Sequence, residues 1–416
     1  MNETGRSGLI LAVAALLSEG VAAAGEGGIS AKQEDDKLKT IRVVAPGKFE
    51  TTFNMRKGFV GKFFDLAHDP GKKRDLAPVA DENGILWTKN GFPEGVTNGS
   101  YYANPPTEMK LLEAGPARVR VRLTGPHARY GKTAAKGRWP KLGFRQTWTV
   151  YPSGQAYCDY ALVNDKPIKL HHFLLIVKST GHWGPRGKGE GKGEVHPASE
   201  RGNDKRPTGR DKSSFVLQWS NGPTHFMDML LVLHAGRYGG TYWNEGFQDK
   251  DYRTGLNVLG RWKDATVPGG GDHVALMMRF DRDLNGADAA RPHAADYRSP
   301  DKPDVLKGKL VTTDPGDHDA DGFNESEGCY VLAADREAGA SLKLHGKKTP
   351  RMDPAFKITG WPGGGLPGAV TVDGKALAAG KGYNAAVNGD VLLVQLLGRV
   401  TDDVTVKVLA VTAPAK

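Results

Sequence analysis

Two cysteines, Cys158 and Cys329, are the only thiols in 416 residues. So few exclude a disulfide-dense scaffold, a cysteine-rich zinc module and a paired-cysteine redox motif. Long hydrophobic runs are missing too. The most apolar stretch, Leu9 to Leu17, falls short of the roughly 20 residues a helix needs to span a bilayer. No later stretch is long and apolar enough to cross a membrane, so no span is expected in the mature chain. The sequence holds no G-x-S-x-G elbow, no H-E-x-x-H, no P-loop and no dinucleotide fingerprint in a useful context. Serine hydrolase, zincin, NTPase and Rossmann oxidoreductase readings therefore have little support. No helix-turn-helix, zinc-finger or RNA-binding signature occurs, so nucleic acid is not an expected partner.

What is abundant is glycine, 55 residues, with 25 prolines. That composition favours many short strands joined by tight turns. Hydrophobic residues make up 39% of the chain, enough for a real core. Arg6 precedes the apolar Leu9–Leu17 run, and the small residues Ala22, Ala23 and Ala24 follow it. This order reads as a cleaved export signal over residues 1–24, although Glu3 and Glu19 fit the pattern poorly. The expected location is secreted or periplasmic. The formal net charge is +10, and loss of Arg6, Glu3 and Glu19 would make the mature chain +11. Outside the cytoplasm, a basic protein steers toward acidic polysaccharides and cell-surface polymers. In an oxidising compartment Cys158 and Cys329 are candidates for one disulfide; the alternative is two buried thiols. Nothing in the sequence fixes the oligomeric state.

Residues 25–40 read as a flexible N-terminus. From Ile41 onward the period-2 pattern of half-buried strands takes over. Arg118–Leu123 and Gln146–Tyr151 show it most clearly. The turn Pro152-Ser153-Gly154 and the returning strand Ala156–Leu162 predict a hairpin. Further strands are expected at His171–Val177, Phe215–Trp219, Met229–His234, Val274–Phe280 and Tyr330–Ala333. Residues 184–212 carry eight Lys/Arg, five Asp/Glu and seven glycines with almost nothing apolar. They predict a long basic loop, either a lid over an anionic substrate or a solvated insertion. The fold class is therefore all-β. A large antiparallel β-sandwich over 41–335 is followed by a smaller C-terminal β-unit over 340–416. In the latter, Asp373-Gly374 and Asn388-Gly389 mark hairpins.

The order of several strand segments resembles a known fold family. Phe59-Val60-Gly61-Lys62-Phe63-Phe64-Asp65-Leu66 is followed by Asp75-Leu76 and Gly84-Ile85-Leu86-Trp87. Leu111 to Val119 and Trp148 to Gly154 come next. Over residues 41–300 this resembles the large super-sandwich of galactose-mutarotase-like domains and several polysaccharide lyases. The resemblance implies a carbohydrate context without fixing a reaction.

The richest chemical cluster is Arg237-Tyr238-Gly239-Gly240-Thr241-Tyr242-Trp243-Asn244-Glu245. A lyase acting on a uronate must neutralise the carboxylate, remove the C5 proton and protonate the leaving oxygen. Arg237 and Asn244 suit the first task, and Tyr238 or Tyr242 the proton transfers. Trp243 offers a flat face for a pyranose. A glycine-rich turn with buried aromatics is the plainer alternative. His234 ends the strand just before this cluster and is a candidate base. His171 and His172 are adjacent at a strand start, so they point to opposite faces and supply candidate substrate contacts. His225 and His273 are less committed. Tyr297 and Arg298 are further candidate sugar or carboxylate contacts, against a surface salt-bridge loop.

The clearest ion signal is Asp317-His318-Asp319-Ala320-Asp321-Gly322-Phe323-Asn324-Glu325. Its D-x-D-x-D-G spacing puts three carboxylates on one side of a tight loop. Calcium prefers roughly six to eight hard oxygens, and the Phe323 carbonyl and Glu325 would add two. Position 12 counted from Asp317 is Gly328 rather than the Glu of an EF-hand, with Glu325 and Glu327 as substitutes. A structural calcium ion is the candidate cofactor, the alternative being an acidic Asx-turn loop that binds nothing tightly. The favoured reading is an exported polysaccharide lyase that degrades an acidic, uronate-containing glycan. A non-catalytic glycan-binding or cell-envelope protein is the second. A sugar epimerase or glycoside hydrolase using Glu245 is the third.

Overall fold

The computed structural model describes residues 27–56, 58–73, 106–130, 142–170, 265–281, 284–335, 339–362 and 364–411, with short strands elsewhere between residues 86 and 258. The N-terminal segment 1–24 lies outside the described residues.

Strict alternation of buried and half-buried residues in Ile41–Ala45 makes a strand with one apolar face. Ser30–Gln33, Ile41–Ala45, Phe49–Asn54 and Gly58–Asp65 pair in sequence order as a four-stranded antiparallel sheet. The expectation of a flexible 25–40 segment is thus corrected. Ser30–Gln33 adds to the Ile41–Ala45 strand, and Ala31 is buried beneath it.

A ten-stranded antiparallel sheet packs on this small one. Its centre runs Asp228–Leu233, Asp272–Asp281, Gln155–Val163, Gly143–Val150 and Val119–Tyr130. The expected hairpin joins Gly143–Val150 to Gln155–Val163, with Gly154 at a φ of +90° in its turn. Val121, Phe144, Trp148, Tyr160, Leu276 and Phe280 share one core with Phe49, Phe53, Phe59 and Phe63 of the small sheet. Phe59 lies 4.2 Å from the Trp148 ring, and Phe63 lies 4.6 Å from Phe280. Each such side chain contributes about 1.5–3 kcal/mol by leaving water. The Trp148 indole donates to Gln146 Oε1 at 3.1 Å, so its one polar atom is satisfied in the core.

The sheet edge corrects a second expectation. Inside the segment 184–212 expected as a loop, Val195–Ser199 pairs with Phe215–Ser220 and Gly202–Asn203 pairs with Val195–Ser199. An edge strand needs backbone hydrogen bonds rather than apolar side chains, and composition does not reveal those. The rest of 184–212 lies outside the described residues.

The C-terminal unit begins near Asp304 rather than at 340. Asp304–Lys307 pairs with Ala340–Leu344, and Cys329–Ala333 runs parallel to Ala355–Thr359. A five-stranded and a six-stranded sheet result. Among the described residues there is one α-helix, Ala287–Arg298, where a loop was expected. Its buried stripe is Ala287, Ala290, Ala294 and Tyr297, at helical spacing but mostly of small residues, and Pro292 interrupts the pattern.

Helix, C-terminal strands and the second face of the large sheet share another core, to which Tyr151, Tyr157 and Met277 contribute. The large sheet therefore has a different partner on each face. This explains why Cys158 and Cys329 take the alternative of two buried thiols rather than the candidate disulfide. Cys158 belongs to the first core and Cys329 to the second, and both are buried free thiols.

Candidate functional site

Alternation along the central strands fixes what the second face of the large sheet presents. Cys158, Tyr160 and Leu162 point into the first core, so Asp159 and Ala161 point the other way. The register sets Ala161 between Arg145 and His273, and Thr147 between Arg122 and Asp159. Arg122, Arg145, Asp159 and His273 therefore share one face. Arg145 is exposed and Arg122 half-buried, and neither enters an ion pair among the described residues.

Asp159 Oδ1 lies 3.0 Å from His273 Nδ1. A third group arrives from the C-terminal unit: the His318 ring stands edge-on to the His273 ring, with centroids 4.4 Å apart. One candidate ligand atom from each of Asp159, His273 and His318 lies within 4.8 Å of the others. His318 Nε2 is 3.2 Å from Ser326 Oγ.

The loop that delivers His318 is the acidic one. One carboxylate oxygen from each of Asp317, Asp319, Asp321 and Glu325 lies within 4.8 Å of the rest. Asp317 accepts the amides of Ala320 and Gly322 at 2.7 and 2.8 Å. Asp321 accepts the Phe323 amide at 2.7 Å, and Glu325 Oε2 accepts the His318 amide at 2.8 Å. Burial, followed by the neighbouring carboxylates, pushes the Asp321 carboxyl up to about 7 and the Glu325 carboxyl up to about 9. Asp317 shifts the same way, again mainly through burial. Four carboxyls crowded this way fit a hard, oxygen-seeking cation. Phe323 turns its side chain into the core, 5.3 Å from the Tyr330 ring.

A buried ion network anchors the loop. Glu327 pairs with Arg118 at 2.7 Å, Arg120 at 3.1 Å and Lys357 at 3.3 Å. Burial alone would raise the Glu327 carboxyl, but the three cations outweigh it and hold it down at about 2. Arg118 also pairs with Glu113 at 2.8 Å, and Lys357 with Asp314 at 3.1 Å. Tyr151 and Tyr297 donate to the carbonyls of Glu327 and Glu325.

The residues singled out from sequence fare unequally. Asp317, Asp319, Asp321 and Glu325 come together. Tyr297 is 2% exposed with its hydroxyl committed to the Glu325 carbonyl, so it is a core residue and not a sugar contact. Arg298 ends the helix, half-buried. His172 opens the strand His172–Val177, and Tyr242 lies on the short strand Thr241–Tyr242 that pairs with Asn257–Val258. His171, His225, His234, Arg237, Tyr238, Trp243, Asn244 and Glu245 lie outside the described residues. Asp159 and His318 were missed as candidates. The one sequence signal for Asp159 is a charge inside an otherwise apolar strand, Ala156–Leu162.

No family model matches the chain, and no curated protein matches it. Solved structures do. Galactose 1-epimerase from Lactobacillus acidophilus shares 10% identity at a TM-score of 0.33, over 61% of this chain and 98% of that one. A GalM/aldose epimerase homologue from C. elegans shares 11% identity at a TM-score of 0.30, over 57% and 97%. These galactose-mutarotase-like structures are of the group that residues 41–300 resemble in sequence. At TM-scores of 0.33 and 0.30, neither an activity nor a residue role transfers to this chain.

Proposed function

We propose that this protein is an exported carbohydrate-active enzyme, secreted or periplasmic, that cleaves an acidic, uronate-containing polysaccharide by β-elimination. The observation that carries this reading is the convergence of Asp159, His273 and His318 on the sheet face that also presents Arg122 and Arg145. A uronate carboxylate resists loss of the C5 proton until its charge is neutralised, and cationic groups on a rigid sheet suit that task. The formal net charge of +10 supports an anionic substrate. Tyr242 or Tyr238 transfers the proton, with His234 and Arg237 in support. Trp243, Asn244, His171 and His172 hold the sugar chain. A calcium ion on Asp317, Asp319, Asp321 and Glu325 stiffens the loop that carries His318.

The test is ultraviolet absorbance during incubation of the protein with a panel of acidic polysaccharides. β-Elimination leaves a conjugated C4=C5 double bond that absorbs, whereas hydrolysis and binding do not. A rise on one substrate, lost in Tyr242→Phe with the fold intact, is the expected result. A flat trace across the panel sinks the lyase reading and leaves glycan binding or hydrolysis.

A further inference from the structure

We infer that Asp159, His273 and His318 bind a divalent transition-metal ion of the zinc class. The inference starts from the donor set. Two imidazoles and one carboxylate are the nitrogen and oxygen donors that zinc and its neighbours take, whereas calcium and magnesium favour oxygen alone. The acidic set on the same loop has only carboxylates, so the two sets sort cations by chemistry.

The geometry agrees with the donors. Ligand atoms sharing a zinc ion, each about 2.0–2.1 Å from it, stand roughly 3–3.4 Å from one another. Asp159 Oδ1 and His273 Nδ1 already stand 3.0 Å apart, and all three ligand atoms fall within 4.8 Å. Asp159 and His273 sit on adjacent, hydrogen-bonded strands of the large sheet, so two of the three ligands are rigidly placed. His318 needs little movement, because its loop is fastened through Glu325 and Ser326. Metal-bound histidines characteristically give their second nitrogen to a hydrogen-bonding neighbour. Ser326 Oγ, 3.2 Å from His318 Nε2, would take that part and leave Nδ1 for the ion. Three protein ligands leave one coordination position open, as in catalytic rather than structural zinc centres.

Two consequences follow. The ion ties the large sheet to the C-terminal unit, because its ligands come from both. The sheet face that carries His273 also carries Arg145, a candidate partner for a uronate carboxylate near the ion. This second role rests on the lyase reading; the metal site itself does not.

The experiment uses the full chain, stripped with chelator and titrated with zinc by calorimetry. Metal content after dialysis is read by mass spectrometry, and cobalt substitution is read by visible absorption. The wild type is expected to bind zinc at this site. His318→Gln and His273→Gln should each weaken binding at least about tenfold. Asp288→Asn, at a fully exposed carboxylate outside both sets, should leave it unchanged. Thermal unfolding of each metal-free variant reports its fold, and His318→Gln, in a loop, serves if His273→Gln fails to fold. Zinc binding that survives both histidine substitutions, or no binding by the wild type, overturns the site. A lyase trace that stays flat while zinc binds removes only the catalytic role.

Discussion

Arg118 Nη1 and Glu327 Oε2 lie 2.7 Å apart in a buried pair that joins residues 209 positions apart in sequence. Arg118 precedes the strand Val119–Tyr130 of the large sheet, and Glu327 sits in the C-terminal hairpin between Phe323–Asn324 and Cys329–Ala333. With Arg120 and Lys357 also on Glu327, one carboxylate meets three cations, two of which keep a second carboxylate in Glu113 and Asp314. The docking of the two units converges on Glu327.

Glu327→Gln keeps the shape and removes the charge. Arg118 is 4% exposed and would keep only Glu113. Breaking a buried ion pair from one side costs about 3–5 kcal/mol, because the remaining charge stays desolvated. Chemical denaturation should show a loss of that size. A loss below about 0.5 kcal/mol, the scale of an ordinary surface change, would mean that the network is solvated and the joint is held by packing alone.

How much of this was legible in the sequence follows from range. The hairpin between Gly143–Val150 and Gln155–Val163 is local, and period 2 with Pro152-Ser153-Gly154 announced it. The acidic cluster was legible for the same reason: four carboxylates within nine residues of one loop need no long-range pairing. Asp159 and His273 are 114 residues apart, and only the register of two non-sequential strands brings them together. Two adjacent cores were equally invisible, so the choice between one disulfide and two buried thiols stayed open until the structure placed the cysteines in different cores. The helix escaped because its buried stripe is alanine, which carries little hydrophobic signal.

Acid stability should depend on His293. Its Nδ1 is buried without a hydrogen-bond partner, and burial followed by the Arg279 charge lowers its pKa from 6.5 to about 3. The folded pKa lies below the unfolded one, so between those values the unfolded chain binds the extra proton. The His293 contribution to stability therefore falls as pH drops from 6.5 toward 3. In cation-free protein Asp321 and Glu325, raised to about 7 and about 9, contribute in the opposite sense, so the His293 effect is read as the difference between wild type and variant. Glu327 adds to the loss lower down, because its folded value of about 2 lies below 4.5. Its contribution is full above 4.5 and fades as pH falls toward 2. His293→Leu should flatten the upper part of the melting-temperature profile and leave the lower part. An unchanged profile would place the upper dependence on another group.

Gly328 tests the closeness of the joint. Its φ is +69°, and a Cβ there would come within 2.1 Å of Tyr157 Cζ. The Tyr157 ring is buried and packs against Tyr151 and Tyr297, so it has little room to yield. Gly328→Ala should cost at least about 1–3 kcal/mol through backbone strain and overpacking. Tyr157→Leu should recover part of that loss in the double variant. Strict additivity of the two substitutions would deny the contact.

The acidic loop gives the last expectation, and its sign is opposite in the two cation states. Without a cation, Asp321 is a destabilised carboxylate, raised from 3.8 to about 7 mainly by burial and then by Asp319 and Asp317. A group whose folded pKa lies above its unfolded value costs stability wherever pH exceeds the unfolded value. In chelator above pH 7, Asp321→Asn should therefore melt no lower than the wild type. Calcium reverses the order, because the ion needs the carboxylate that the variant lacks. The wild type should gain RT ln(1 + [L]/Kd) of stability as free calcium rises, seen as a rising melting temperature, and the variant should gain little. Equal calcium responses would remove Asp321 from the cation set. A variant that melts well below the wild type in chelator would instead give Asp321 a structural role through its bond to the Phe323 amide at 2.7 Å.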